Sequence, residues 1–445
     1  MSQQNGKIAP ARGWNDWSKE GVAELINHET GVQDTRCYAD EGVYQRELEQ
    51  IFAKCWICVG HESQIPNVGD FITTQIGEDP VIVTRDRDNS VHVLLNQCRH
   101  RGVKVARGDY GNSRSFTCSY HGWCFGSNGD LLGMPQEDAH NGQLDKSKWG
   151  LKTVAKVDTY KGLIFATWDE NAEPLLDYLG EATWYMDGVL DRSPGGIEIV
   201  NTHKWRVKCN WKWGAEQHVT DFYHAPISHI SYISALVPEA TIHQFTSAPV
   251  IGLQYSSPEL GHGTGWFTSP NEVENQKLAK SHTDTVIKFF EDVHIPAVTE
   301  RLGKTRALEM TVSHMNIFPN LTFNKGQGYM RLWQPIGPNE MEVISYIFVD
   351  KDWPDHIKEE WERSATRMFS PAGPLEQDDA ENAFAAQMGV SGHIAGQNTL
   401  NIQMGDPLDA EAIGDFEGPG NISFVYSELA LRGFYRRWAN LMSDD

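Results

Sequence analysis

The chain has 445 residues, 40% of them apolar, and a formal net charge of -22. That length exceeds one compact core, and so acidic a chain is repelled by phosphate backbones and anionic lipid, which argues against nucleic acid and membrane as partners. No stretch approaches the roughly 20 apolar residues of a bilayer span. The start, MSQQNGKIAPARGW, has no export-type core, so a cytoplasmic location is expected.

The first 36 residues are polar and helix-prone. An N-terminal helical segment, 1–39, is expected to pack on the catalytic domain. From Tyr38 to Phe52 apolar residues recur at helical spacing, ahead of an apolar run from Cys55 to Val59. Short β-like runs follow at 71–76, 81–85, 91–96, 153–157 and 163–168, punctuated by Gly, Asp and Asn. They predict a small antiparallel domain over 40–170, with Cys and His in its loops. The turn-rich DENAEPLLDYLG is the seam to a second domain, 171–445. There the pattern predicts a helix over roughly 211–225 and strands at 315–323, 329–334 and 341–349. Helices follow at 355–369, 380–388 and 426–442, the last with Leu431, Phe434, Trp438 and Leu441 on one face. Strands and helices without regular βαβ alternation indicate an α+β fold.

NQCRHRGVKV supplies Cys98 and His100, and FTCSYHGWCFG supplies Cys118 and His121, with 17 residues between His100 and Cys118. Mixed zinc sites commonly use C-x2–4-C and H-x3–5-H spacing, and this pattern is neither. One thiolate and one imidazole per loop suit a [2Fe–2S] centre in which one iron carries two thiolates and the other two imidazoles. Gly102 and Gly122 would let the loops fold closely over the sulfides. Cys55 and Cys58 form C-x2-C in an apolar run with no second pair, and read as buried thiols. Cys124 is expected to pack beside the second loop. Cys37 and Cys209 have no evident partners.

In NWKWGAEQHVTDFYHAPISH, residues 210–229, Gln217, Asp221 and His224 fall at i, i+4 and i+7 on one face of a helix. Pro226 is expected to end that helix, leaving His229 just beyond. Two neutral imidazoles and one carboxylate form a facial triad with open positions for oxygen on ferrous iron. PAGPLEQDDAENAF offers Asp378 and Asp379 for the carboxylate, and spacing does not choose between them.

With GHESQIP, LNQCRHRG, FTCSYHGW, TYKGLIFATWD, CNWKWGAEQ and LEQDDAEN, the chain resembles, over about 40–445, the α subunits of Rieske non-haem iron aromatic-ring-hydroxylating dioxygenases, in the biphenyl/toluene/benzene and phenylpropionate branch. The resemblance implies a small all-β Rieske domain and a catalytic domain of helix-grip type. It implies Cys98, His100, Cys118 and His121 as cluster ligands, and His224, His229 and Asp379 as iron ligands. Asp221 would be the carboxylate bridging His224 to His121 of an adjacent subunit, in an α3 or α3β3 assembly. Gln217, His218, Phe222, Ala225, His314, Phe369 and Leu375 are pocket candidates by position. His218 stands where that branch has an aromatic residue, and is either a polar substrate contact or a packed core residue. Four residues separate His224 from His229, where that branch has five. The implied reaction adds both atoms of O2 to an arene, giving a cis-dihydrodiol, with electrons from NADH through a ferredoxin or reductase. The rival readings are a same-fold monooxygenase or demethylase, a zinc-stabilised non-catalytic module, and a pure electron carrier.

Overall fold

The computed structural model describes residues 21–22, 24–236, 250–280, 282–407 and 416–443. Ten strands of the first half form three antiparallel sheets. β1 (Ile57–His61), β2 (Asp70–Ile76), β3 (Asp79–Arg85), β4 (Val91–Leu95) and β5 (Tyr110–Asn112) precede the short β6 (Ser115–Thr117), β7 (Cys124–Gly126) and β8 (Leu131–Gly133). β9 (Lys156–Tyr160) and β10 (Leu163–Thr167) complete them. The orders are β4-β3-β2-β5, β8-β7-β6 and β9-β10-β1. β1 and β10 are buried throughout, which is why both read as continuous apolar runs rather than alternating ones. The expected strand at 153–157 starts three residues later. Thr153 instead bridges Leu94, and the Val154 amide donates to the Val93 carbonyl, so these residues tie β9 to the larger sheet.

The second half is built on an eight-stranded antiparallel sheet. Its strands are β11 (Ile197–Val207), β12 (Gly252–Ser257), β13 (His262–Phe267), β14 (Thr311–Ile317), β15 (Leu321–Asn324), β16 (Tyr329–Gly337), β17 (Glu340–Asp350) and β18 (Asn421–Phe424). The order is β11-β17-β16-β15-β14-β13-β12-β18. The single strand expected at 315–323 is two, because the chain reverses through Phe318-Pro319-Asn320. A proline followed by asparagine is a turn signal, and Pro lacks the amide a ladder needs.

Five helices matter for the site: α1 (Trp211–Thr220), α2 (Ala225–Ser228), α3 (Asp355–Phe369), α4 (Pro374–Val390) and α5 (Leu429–Ser443). The Asn210 side chain caps α1 by accepting from the Lys212 amide. α1 lies very close to the sheet at Gly214, where a Cβ would stand 2.3 Å from the Trp333 ring of β16, so only glycine fits. α5 buries Phe434, Trp438 and Leu441 as expected, with Tyr435 and Met442 beside them.

Two helical expectations are corrected. The helix over 211–225 ends at Thr220: Asp221 is its C-cap, and the Phe222 amide turns back to the Thr220 carbonyl. Pro226 then sits in the first turn of α2 and starts a helix rather than ending one, since its missing amide is unneeded there. The helical reading of 1–39 falls partly on residues 1–20 and 23, outside the described residues. Within the described part, Ile26–Asn27 and Val32–Asp34 form a ribbon that pairs with Thr399–Asn401, and the helix Arg36–Ala39 follows. Backbone partners from the distant 399–401 segment outweigh local helix propensity there.

Candidate metal centres

The two Cys/His loops are built alike. The Cys98 amide donates to the Val103 carbonyl and the Gly102 amide to the Cys98 carbonyl; Cys118, Trp123 and Gly122 repeat the pattern. Gly102 and Gly122 both occupy the left-handed region, at φ +75° and +74°, which lets each chain reverse within its loop. Cys98 and Cys118 are buried, whereas His100 and His121 are exposed, their ring centroids 4.5 Å apart. His100 stacks on Trp123 at 5.2 Å. Burial pushes the Cys98 thiol up, so a neutral thiol or a metal-bound thiolate is the stable form there. Desolvation, then the neighbouring His121, holds His100 below its ordinary value, which favours the neutral imidazole a metal needs. Two thiols inside and two imidazoles at the rim fit a cluster with an exposed imidazole edge.

The second group draws on both halves of the catalytic sequence. His224 is the N-cap of α2, His229 its C-cap, and Asp379 lies inside α4 rather than at the helix start expected near 380. One ligand atom from each of the three lies within 4.8 Å of the others. Asp379 Oδ1 is 3.5 Å from His224 Nε2 and 3.3 Å from His229 Nε2, and it is buried with no hydrogen-bonded donor. Behind each imidazole stands a second carboxylate. Asp221 Oδ2 is 3.3 Å from His224 Nδ1, and Asp378 Oδ2 is 3.2 Å from His229 Nδ1. That arrangement fixes both Nε2 lone pairs toward a common point, as carboxylates do behind metal-binding histidines. The electrostatics ask for a cation. Burial pulls the His224 pKa down, but Asp221 and Asp379 outweigh it and lift it to about 10. Burial likewise raises Asp379, yet His224, His229 and Arg331 hold it below the usual carboxylate range. Two imidazoles and one carboxylate, whose buried oxygen converges with them, fit ferrous iron.

Residues 55–160 match the Rieske [2Fe-2S] domain, and residues 175–444 match the ring hydroxylating alpha subunit (catalytic domain). The chain is one of the aromatic-ring-hydroxylating dioxygenase α subunits. It is 43% identical to biphenyl 2,3-dioxygenase subunit alpha of Rhodococcus jostii (strain RHA1), covering 96% of this chain and 92% of that protein. It is 43% identical to a benzene 1,2-dioxygenase subunit alpha of Pseudomonas putida, over 98% and 96%. Its fold superposes on naphthalene 1,2-dioxygenase with indole bound in the active site at a TM-score of 0.85 and 33% identity, covering 97% and 95% of the two chains. As such an α subunit it uses a Rieske [2Fe–2S] cluster and a mononuclear iron, and its fold is the α+β arrangement expected from the sequence.

Beside the triad a cleft of about 530 Å3 opens between α1, α4 and the start of α5, lined among others by Gln217, Asp221, Tyr223, His224, Asp379 and Tyr426. Of the seven pocket candidates only Gln217 lines it, with its Nε2 3.3 Å from His224 Nε2. The others form a continuous stack. Phe222 lies on His314 at 4.7 Å, His314 on His218 at 5.1 Å, and His218 meets Tyr329 edge-on at 6.2 Å. Tyr329 rests against Phe369 at 4.8 Å, with Leu375 packed on that pair, and Ala225 opens α2 between the two iron-site histidines. The two readings of His218 now separate. Its Nδ1–H donates to the Gly214 carbonyl at 3.2 Å, and its Nε2 accepts from the Tyr329 hydroxyl at 3.3 Å. It is 1% exposed with both nitrogens satisfied, so it is a packed core residue. His314 differs, since its Nδ1 is buried without a partner.

Sequence reading missed the polar group beneath the cleft. Glu216 accepts hydrogen bonds from the Tyr38 and Tyr435 hydroxyls, and burial pushes its carboxyl up to about 7. Below it, Lys212 Nζ pairs with Glu47 at 2.5 Å, both fully buried. Nothing local in the sequence signals either, because their partners lie far apart in the chain. Cys37, Cys55, Cys58 and Cys209 are buried thiols, and burial lifts Cys55 to about 11 and Cys58 to about 12. Cys124 is half-buried and accepts from the Thr117 hydroxyl. No described helix is long and apolar enough to cross a membrane.

Proposed function

We propose that this α subunit adds both atoms of O2 to adjacent carbons of a mono- or bicyclic arene. One arene, one O2, two electrons and two protons yield one cis-dihydrodiol. The convergence of His224 Nε2, His229 Nε2 and Asp379 Oδ1 carries this reading. Those three would hold the iron, and Cys98, His100, Cys118 and His121 the cluster. When bound, the cluster supplies single electrons and the iron open positions for O2.

The chain's own residues position and insulate. Asp221 and Asp378 orient the imidazoles, Phe222 and His314 form a wall beside them that the packed His218 ring backs from within, and the substrate ring lies against that wall. Burial keeps His314 neutral, down to about 3, so it offers hydrogen bonding rather than charge. Asp221 is the bridge to the partner subunit's His121: its side chain is 44% exposed while one carboxylate oxygen faces His224, which supports a second contact from outside. In this reading the chain works in an α3 or α3β3 ring in the cytoplasm, reduced from NADH through a ferredoxin or reductase. The domains divide as an N-terminal segment, 1–39, a cluster domain, 40–170, and an iron domain, 171–445.

Reduced protein turned over with biphenyl and toluene under 18O2 tests the reaction. Two labelled oxygens in a dihydrodiol support it. A single labelled oxygen in the product would mean monooxygenation and overturn it.

A further inference from the structure

Arg331 is a buried charged residue where the sheet meets α3 and α4. It lies on β16 with its side chain 1% exposed. Rings enclose its guanidinium: Cζ is 4.2 Å from the Tyr329 centroid, 5.5 Å from Trp205 and from Trp333, and 6.0 Å from Phe369. Burying such a cation is costly unless good partners meet it. It has two. Its Nη2 donates to the Phe369 carbonyl at 3.2 Å and lies 2.5 Å from Glu376 Oε2. Phe369 is the last residue of α3, and Glu376 is in the first turn of α4. Arg331 therefore spans the corner at 370–373 and holds both of its ends. Glu376 is one helical turn ahead of Asp379, on the same side of α4. None of the iron or cluster roles above requires an arginine here.

We propose that Arg331 is a positioning residue for the mononuclear iron. By holding Phe369 and Glu376 together it sets the rotation of the first turn of α4, and with it the place where Asp379 Oδ1 meets the two imidazoles. The inference rests on the reading of Asp379 as an iron ligand. Stability alone is a weak reason for the pair, since replacing a buried ion pair by apolar side chains of similar volume is often neutral or stabilising. Geometry is a stronger one. One nitrogen, Nη2, makes both contacts, and the rigid planar guanidinium held among the four rings fixes where that nitrogen sits, which an ammonium on a flexible stem does less well.

The double variant Arg331→Met/Glu376→Leu removes both charges, while Arg331→Lys keeps the charge and loses the rigid guanidinium that places Nη2. The measurement is the Fe(II) dissociation constant of cluster-loaded protein, stripped of mononuclear iron and titrated anaerobically, alongside the thermal unfolding midpoint and the cluster spectrum. The expected double variant keeps the midpoint and the spectrum but binds Fe(II) at least fivefold more weakly. Binding within fivefold of wild type overturns the proposal. Should the double variant not fold, Arg331→Lys is judged by the same fivefold criterion. Asp379→Ala separates the two levels of argument. If it keeps wild-type iron affinity, the ligand reading falls and the positioning role with it. If it loses iron while the Arg331 variants do not, only the positioning role falls.

Discussion

Replacing Asp379 and Asp378 by alanine, one at a time, distinguishes a carboxylate that bonds iron from one that orients a ligand. Asp379 Oδ1 lies between the two Nε2 atoms, 3.5 and 3.3 Å away, whereas Asp378 Oδ2 lies behind His229, 3.2 Å from Nδ1. Loss of an orienting partner typically weakens metal binding about 10–100-fold, or about 1.4–2.8 kcal/mol. Titrated with ferrous iron at about 100 times the wild-type Kd, Asp378→Ala then keeps about 50–90% of its mononuclear sites filled. Asp379→Ala loses a direct ligand and the only carboxylate of the triad, and a weakening of about 1,000-fold, about 4.1 kcal/mol, takes its occupancy below about a tenth. Iron and acid-labile sulfide per chain report this directly. Wild type gives about three irons and two sulfides, Asp379→Ala about two and two, and Asp378→Ala about 2.5–2.9 and two. An empty site in Asp378→Ala together with a filled one in Asp379→Ala would refute the geometry and exchange the two roles.

Asp221→Asn is expected to retain both metals and to slow turnover severely, because it removes the carboxylate charge between His224 and the outer surface; near-normal turnover with intact metal content would remove the bridging role. Glu216 gives a pH signature. Its folded pKa is raised from 4.5 to about 7 by burial, so the folded state holds the proton more tightly than the unfolded chain. Its contribution is therefore most favourable below the ordinary carboxylate range and is lost as pH rises from about 4.5 to about 7. Unfolding midpoints at pH 5 and pH 8 should fall more in wild type than in Glu216→Gln, and equal falls would contradict the burial argument.

The proposed cluster site was legible because its four candidate ligands sit in two short loops at spacings that chemistry restricts. The iron site was only half legible. His224 and His229 are local, but Asp379 reaches them from α4, and no periodicity links those segments. The turn after Thr220 was hidden for a related reason. Gln217, Asp221 and His224 keep helical spacing, so the pattern reads straight through a place where the chain leaves the helix, and Pro226 looked like a stop rather than a start. The break between β14 and β15 was readable at Pro319-Asn320 and was passed over in favour of the apolar run. His218 is a different case. Its satisfaction depends on Tyr329, more than a hundred residues away in the chain, and only the fold brings that hydroxyl to its Nε2.

The three iron-site residues also connect parts of the chain that meet nowhere else in sequence, the turn around α2 and the body of α4. A metal that bonds all three acts as a removable cross-link between them. Ligand binding to the folded state adds stability that grows with the logarithm of free ligand concentration over Kd, about 2.7 kcal/mol at one hundred times Kd. If His224, His229 and Asp379 hold the iron as proposed, iron supply would govern how long the protein lasts as well as how fast it works. Chains made under iron limitation would then open more often at this corner and be exposed to proteolysis and quality control, so that scarcity of the metal would lower the amount of enzyme along with its activity.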